Sequence, residues 1–83
     1  MPKITIYSTH TCIYCSMLKK YLEQKNIVFN EIYLDDQPES IQASFDTCGS
    51  MGVPCTHILL DDGKEEKILG FNKAKFNQIL GIN

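Results

Sequence analysis

Hydrophobic and polar positions alternate in the first stretch of the chain and then change to a helical period. Ile4 and Ile6 lie on one side and Thr5 and Tyr7 on the other, which predicts a strand over residues 3–7. Further along, Cys15, Leu18 and Leu22 recur at spacings of three and four residues, which predicts an amphipathic helix. The short hydroxyl-rich stretch 8–11 between them suits a helix start.

The same analysis predicts five further elements. The first helix runs to about Lys25, with Asn26 as a left-handed cap. The remaining elements are a strand over 27–34, a helix from Glu39 with Ile41, Phe45 and Cys48 on its apolar stripe, a strand over 56–60, a strand over Glu65–Leu69, and a last helix capped by Asn72 with Phe76, Ile79 and Leu80 as its apolar positions. The Asp61-Asp62-Gly63 turn predicts a hairpin between the last two strands.

The predicted order βαβαββα defines an α/β fold. A strand–helix–strand opening followed by a hairpin implies a four-stranded mixed sheet with helices on its faces. A chain of 83 residues is short for two domains, so residues 1–83 are expected to form a single domain with a small core.

Charge and hydropathy exclude two classes of partner. Eight lysines face ten acidic residues, and the chain has no arginine, so a nucleic-acid interface is not expected. No apolar stretch is long enough for a membrane span, and the N-terminus lacks the apolar segment of a signal peptide. We therefore expect a cytoplasmic protein.

Four cysteines allow three interpretations: a secreted disulfide framework, a metal site that uses all four, or a redox pair with two bystanders. The absent signal peptide argues against the first. A zinc site is disfavoured because Cys48 and Cys55 have six residues between them, unlike the spacing of a zinc knuckle. The redox interpretation pairs Cys12 with Cys15 and leaves Cys48 and Cys55 as packing residues. A lesser alternative makes Cys55 a third redox thiol or a ligand.

Cys12 and Cys15 lie where the first strand passes into the first helix. The N-terminus of a helix stabilises a thiolate, so we expect the Cys12 pKa to fall below its ordinary value of roughly 8.5. Residues three apart on a helix share one face, close enough to form a disulfide. Cys12 at the helix edge is therefore predicted to be the exposed nucleophile, and Cys15 on the apolar stripe the resolving thiol.

The segment Ile6-Tyr7-Ser8, the Cys12/Cys15 motif, Gly52-Val53-Pro54 and Gly70-Phe71 together resemble the glutaredoxin family, which has a thioredoxin-like fold. Within that family, the chain is most similar to the small glutaredoxin-like redoxins, including those that reduce ribonucleotide reductase. The resemblance implies a thiol–disulfide oxidoreductase that reduces disulfides of client proteins or glutathione mixed disulfides by dithiol exchange. It also implies a monomer without a bound cofactor, a redox-active Cys12–Cys15 disulfide, and glutathione as a co-substrate.

The resemblance further implies a binding groove next to the cysteine pair. It predicts a cis peptide at Val53–Pro54 that faces the pair and contacts the substrate main chain. The residues it assigns to substrate or glutathione binding are Thr11, Tyr14, Val53, Pro54, Phe71 and Asn72.

The chain departs from the family pattern at three places. Ile13 replaces the usual proline of the motif, Ser8 replaces a common lysine, and Gly70-Phe71-Asn72-Lys73 replaces the Gly-Gly-x-Asp-Asp segment that holds glutathione. A thioredoxin-reductase-type flavoenzyme is therefore a rival to glutathione as the reductant. The competing function is an iron–sulfur or zinc module that uses Cys12 with other cysteines. His10 is expected in an exposed loop, and His57 as a hydrogen-bonded strand residue away from the sulfurs.

Overall fold

The computed structural model describes residues 2–81, whose elements follow the predicted order βαβαββα. They are β1 (Lys3–Ser8), α1 (Ile13–Gln24), β2 (Asn30–Tyr33), α2 (Ile41–Cys48), β3 (Cys55–Leu59), β4 (Glu65–Leu69) and α3 (Lys73–Leu80), with a short 3₁₀ turn at Pro38–Ser40 before α2. The strands form one sheet in the order β2-β1-β3-β4. β1 is parallel to β2 and antiparallel to β3, and β3 and β4 form an antiparallel hairpin. The expected four-stranded mixed sheet is confirmed.

The main core lies between one face of the sheet and two helices. Period-two alternation turns the inward-facing residues of each strand to this side, while α1 and α3 contribute the buried face of each helix. The buried members of this cluster are Ile4, Ile6, Ile58 and Ile68 from the sheet, Leu18, Tyr21 and Leu22 from α1, and Phe76 from α3. α1 is thereby fixed with its N-terminus at the carboxyl end of β1.

Helix α2 contacts β3 and β4 at the sheet, and its buried face differs from the predicted one. Phe45 is 42% exposed, whereas Ser44 is only 3% exposed and Ile41 and Cys48 are half-buried, so the predicted stripe of Ile41, Phe45 and Cys48 is wrong at Phe45. The reason is a close approach: the Ser44 carbonyl oxygen lies 3.6 Å from the Sγ atom of Cys55 in β3. The small side chain of Ser44 permits that approach, and the larger Phe45 lies at the surface.

Element ends agree with the sequence prediction at some places and are shifted at others. Asn26 has the expected left-handed conformation, with φ of 58°, and ends α1. β2 is shorter than residues 27–34, because the Ile27 N–H donates to the Leu22 carbonyl oxygen and so belongs to the helix end. α2 begins at Ile41 rather than Glu39, since the Pro38 segment forms the 3₁₀ turn. β3 starts and ends one residue earlier than predicted.

The last helix agrees with its prediction. The Asn72 side chain accepts a hydrogen bond from the Lys75 N–H at 3.1 Å and caps α3. Phe76 is fully buried, and Ile79 and Leu80 pack against the core. Among residues 2–81, no helix is both long and apolar enough to cross a membrane.

Candidate active site

Cys12 is the N-cap residue of α1, as predicted. Its backbone is extended (φ −87°, ψ 113°), and its Sγ accepts a hydrogen bond from the Cys15 N–H at 3.1 Å. That N–H is one of the donors that a helix start leaves without an intrahelical partner. The Cys12 sulfur thus lies at the positive end of the helix dipole and accepts a backbone hydrogen bond there.

Cys15 is the more sheltered of the two cysteines, and its pKa is raised. Cys15 is only 3% exposed, whereas Cys12 is partly accessible, and both are free thiols. Burial is the main cause that raises the pKa of the Cys15 thiol from 9.0 to about 12, and its hydrogen bond with Cys12 is the next largest. The predicted asymmetry between an accessible and a buried sulfur is therefore present, and the structure shows the pair in its dithiol state.

The Val53–Pro54 peptide bond is cis, as the family resemblance implies. The Val53 carbonyl oxygen lies 3.8 Å from the Cys12 Sγ, within reach of a weak S–H hydrogen bond. The Gly70 N–H donates to the Pro54 carbonyl oxygen at 2.8 Å. This bond joins the Gly70 segment, with the neighbouring Phe71, to the same edge of the site.

The other residues expected to bind substrate fall into two groups, one exposed beside the cysteine pair and one engaged in contacts within the fold. Thr11 and Tyr14 are exposed beside the cysteine pair, Tyr14 with 62% of its surface accessible. Phe71 is only partly exposed, because its ring packs against Tyr21 with 5.8 Å between centroids. Asn72 is exposed, but its side-chain oxygen is the cap of α3. Phe71 and Asn72 therefore have structural partners of their own.

A small polar pocket adjoins the two thiols. Its wall includes Glu31, Lys19 and Tyr33 together with Cys12 and Cys15. The Lys19 Nζ lies 3.2 Å from a Glu31 carboxylate oxygen and donates to the Tyr33 hydroxyl, also at 3.2 Å. These contacts raise the pKa of Lys19, the Tyr33 hydrogen bond most and the Glu31 contact next. A charged ion pair thus lines the pocket into which the buried thiol faces.

Sequence reasoning did not identify Glu31, Lys19 or Tyr33 as neighbours of the thiols. One signal was present: Lys19 is four residues after Cys15 and so lies on the same face of α1. No sequence signal marks Glu31, whose position follows from its pairing with Ile6 in the register of β2 on β1.

His10 lies in an exposed loop, as expected, and has three defined contacts. Its Nε2 is 2.8 Å from an Asp36 carboxylate oxygen, its backbone N–H donates to an Asp35 carboxylate oxygen at 3.0 Å, and its ring stacks on Tyr33 with 3.9 Å between centroids. The hydrogen bond to Asp36 raises the pKa of His10 above 6.5, and the charge of Asp35 adds to the effect. His57 is in β3, with its Nε2 3.0 Å from a Glu65 carboxylate oxygen, which confirms its expected role.

The expectation that Cys48 and Cys55 are free packing residues is wrong, because the two form a disulfide. Their Cα atoms are 6.2 Å apart, within the range that a disulfide spans. The chain reverses direction between them at Gly49, whose left-handed conformation (φ 67°) ends α2. In this state a metal site made of all four cysteines does not exist.

Comparison with known proteins agrees with this architecture. A family model described as Glutaredoxin matches residues 4–60. A glutaredoxin-like 8.6 kDa protein in a rubredoxin operon of Clostridium pasteurianum is 36% identical over 77 residues, which cover 93% of this chain and 96% of that protein. The glutaredoxin-like protein NrdH of Lactococcus lactis subsp. cremoris is 46% identical over 39 residues, which are 47% of this chain and about half (54%) of that protein.

Among solved structures, methanoredoxin from Methanosarcina acetivorans superposes with a TM-score of 0.79 at 27% identity, covering 96% of this chain and 85% of that one. A four-stranded mixed sheet flanked by three helices, with a Cys-x-x-Cys motif at the start of α1 and a cis proline opposite, defines the thioredoxin-like fold. Within that fold, the chain belongs to the glutaredoxin family. Thiol–disulfide oxidoreductase activity is what this family implies in general.

Proposed function

We propose that this protein reduces disulfide bonds in client proteins by dithiol exchange, with Cys12 as the nucleophile and Cys15 as the resolving thiol. One observation carries the proposal: the accessible Cys12 sulfur caps α1 and accepts the Cys15 N–H at 3.1 Å. The thiolate is the form of a cysteine that attacks disulfides, and reactive cysteines are found at helix N-termini. The second thiol is one helical turn away and sheltered from solvent.

The exchange transfers two electrons in two steps. The Cys12 thiolate attacks one sulfur of the client disulfide, the client S–S bond breaks, and the departing client thiolate takes up a proton. Cys15 then loses its proton and attacks the Cys12 sulfur, which breaks the mixed disulfide and releases the second client thiolate. The client ends as a dithiol, and Cys12 and Cys15 end as a disulfide.

The buried Cys15 must lose a proton before the second step. Its pKa of about 12 keeps it protonated in the resting dithiol, which protects it from alkylation and oxidation. Once Cys12 is held in a mixed disulfide, the Cys12 thiol no longer shares a hydrogen bond and charge with Cys15, and those two contributions to the raised pKa fall away. The Glu31–Lys19 pair lines the same pocket, where a proton leaving Cys15 can be accepted.

Client binding is proposed for the edge formed by Val53 and Pro54. The Val53 carbonyl oxygen adjoins the Cys12 sulfur, so a client chain that pairs with this edge presents its disulfide to the nucleophile. Exposed apolar side chains follow Cys12 in the chain and precede Val53: Ile13 is 75%, Tyr14 62% and Met51 63% exposed. An apolar rim of this kind suits a protein client, and Thr11 and Tyr14 belong to the proposed contact surface.

The reductant is proposed to be a dithiol flavoenzyme of the thioredoxin-reductase type. The segment at which glutaredoxins hold glutathione is Gly70-Phe71-Asn72-Lys73 in this chain. The Asn72 side chain caps α3, and the Phe71 ring packs on Tyr21, so each is already engaged within the fold. These contacts argue against Phe71 and Asn72 as a glutathione site.

A coupled NADPH assay tests both parts of the proposal. Oxidised protein receives NADPH with either thioredoxin reductase or glutathione plus glutathione reductase, and a peptide disulfide serves as the client. We expect NADPH consumption with the first system for wild type and none for Cys12→Ser. Equal turnover by wild type and Cys12→Ser would refute the catalytic proposal, and efficient turnover with glutathione alone would refute the proposed reductant.

A further inference from the structure

The Cys48–Cys55 disulfide joins the end of α2 to the first residue of β3, and the mechanism proposed above does not use it. The bond closes a ring over residues 48–55 that contains both Val53 and Pro54. Since the Val53 carbonyl oxygen is 3.8 Å from the Cys12 sulfur, this ring holds the backbone edge that faces the nucleophile. A change in the cross-link therefore acts directly on the client-binding edge.

Hydrogen bonds attach the two ends of the ring to the rest of the fold. At one end the Gly49 N–H donates to the Phe45 carbonyl oxygen at 2.7 Å, and at the other the Gly70 N–H donates to Pro54 at 2.8 Å. Between them the segment is largely at the surface, with Met51 63% exposed. The disulfide is thus the covalent restraint that sets the distance between the ends, and opening it gives residues 49–53 more conformational freedom.

Both sulfurs lie near a backbone acceptor that suits the reduced state. The Sγ of Cys48 is 4.0 Å from the Ile68 carbonyl oxygen, and the Sγ of Cys55 is 3.6 Å from the Ser44 carbonyl oxygen. After reduction each S–H can donate to its carbonyl, so the buried Cys55 thiol has a partner in place. The site therefore accommodates the disulfide and the dithiol without a buried unpaired group.

We propose that Cys48 and Cys55 form a second, reversible redox couple that controls the client-binding segment. The oxidised couple holds Val53 and Pro54 against the nucleophile, and the reduced couple releases them, so that client reduction slows. The effect on clients rests on the proposed function, whereas the existence of the couple does not.

The couple exchanges two electrons with an external dithiol. A donor thiolate attacks the partly accessible Cys48 sulfur, the Cys48–Cys55 bond breaks, and Cys55 leaves as a thiolate that takes up a proton. The second donor thiol loses its proton and attacks the donor sulfur in the mixed disulfide. Cys48 is then released and protonated, and the donor ends as a disulfide.

A redox titration tests the couple by itself. The variant Cys12→Ser/Cys15→Ser keeps only the second pair and is equilibrated in buffers of reduced and oxidised dithiothreitol, from both directions. Alkylation followed by mass spectrometry should show either two free thiols or none in each molecule, with the same midpoint from each direction. The proposal would be overturned if the pair stayed a dithiol in oxidised buffer. It would also be overturned if the pair in the folded protein stayed a disulfide at every ratio of reduced to oxidised dithiothreitol.

Enzyme kinetics test whether the Cys48–Cys55 couple regulates client reduction. Cys48→Ser removes the cross-link at a partly exposed position, and Thr47→Ser, one residue earlier in α2, is the matched control that keeps it. For a peptide-disulfide client, we expect Cys48→Ser to lower kcat/KM by roughly ten- to a hundredfold, since a misplacement of about 1 Å can cost on the order of a hundredfold. Reduction of the small bis(2-hydroxyethyl) disulfide, which does not need the binding edge, should change little.

The outcomes separate the two proposals. Equal peptide kinetics for Cys48→Ser and Thr47→Ser would refute the proposal that the disulfide regulates client binding. An equal loss with both substrates would also refute it, because that pattern indicates damage to the thiol pair. Wild type that shows no turnover, alongside a successful titration of the second pair, would refute the proposed function and leave the couple standing. Circular dichroism checks the fold, and Cys48→Ala replaces Cys48→Ser if that variant unfolds.

Discussion

Reduction of the Cys48–Cys55 disulfide is a perturbation whose effect on stability follows from the size of the ring that it closes. In the Cys12→Ser/Cys15→Ser background, dithiothreitol changes only this bond, so one sequence can be measured in two covalent states. The bond spans a sequence separation of seven residues. It restricts the unfolded chain, and in the folded protein the two bonded residues have their Cα atoms 6.2 Å apart, within the range that a disulfide spans.

The chain-entropy relation gives about 2.5 kcal/mol for a closed loop of roughly eight residues at 25 °C. A protein of this length has a total stability on the order of 4–12 kcal/mol. The cross-link should therefore supply a substantial fraction of the free energy of unfolding. The reduced protein is expected to remain folded but to unfold at a distinctly lower urea concentration.

Urea unfolding followed by circular dichroism, with and without dithiothreitol, measures this difference. The expected result is a fall of about 2.5 kcal/mol in the free energy of unfolding on reduction. The same background with Cys48→Ser added is the matched control, and its stability should not respond to dithiothreitol. An unfolding curve that does not change after verified reduction would contradict the reasoning. An equal response to dithiothreitol in the control would also contradict it.

Three further predictions concern single groups. Burial raises the Cys15 pKa from 9.0 to about 12, so the reduced protein should keep this contribution to stability below pH 9 and lose it as the pH rises from 9 towards 12. Urea unfolding across that pH range measures the decline, and no decline would show that the thiol ionises normally. The His10 pKa should lie above 6.5 by NMR and should fall in Asp36→Asn, and an unchanged value would exclude the hydrogen bond as the cause. Thr56 Oγ1 is the one buried side-chain oxygen or nitrogen within residues 2–81 without a hydrogen-bond partner, so Thr56→Val should stabilise the protein by about 1 kcal/mol in urea unfolding, and a loss of stability would show that the hydroxyl has a partner.

The order of elements and the cysteine pair follow from local patterns, which explains why the sequence was sufficient for them. Alternation in β1, the three- and four-residue spacing in α1 and the Asn72 cap each depend on residues close together in the chain. The position of Cys12 at a strand–helix junction likewise predicts both its exposure and the burial of Cys15.

The features that the sequence did not reveal depend on tertiary packing. Helix α2 buries Ser44 instead of Phe45 because of its close approach to β3, which no periodicity in the helix itself reports. The Cys48–Cys55 bond depends on how the chain returns from α2 to β3, and spacing alone does not distinguish a bonded pair from two packing residues. Glu31 reaches the thiol pocket through the register of β2 on β1.

The central claim, that Cys12 is the nucleophile, is tested most directly by trapping its mixed disulfide. In Cys15→Ser with the second disulfide intact, Cys12 is the one remaining free thiol. After incubation with a peptide disulfide, mass spectrometry of the intact protein and of its fragments should show one peptide half bound at Cys12. Attachment at Cys48 or Cys55 instead, or a folded protein that forms no adduct, would contradict the account.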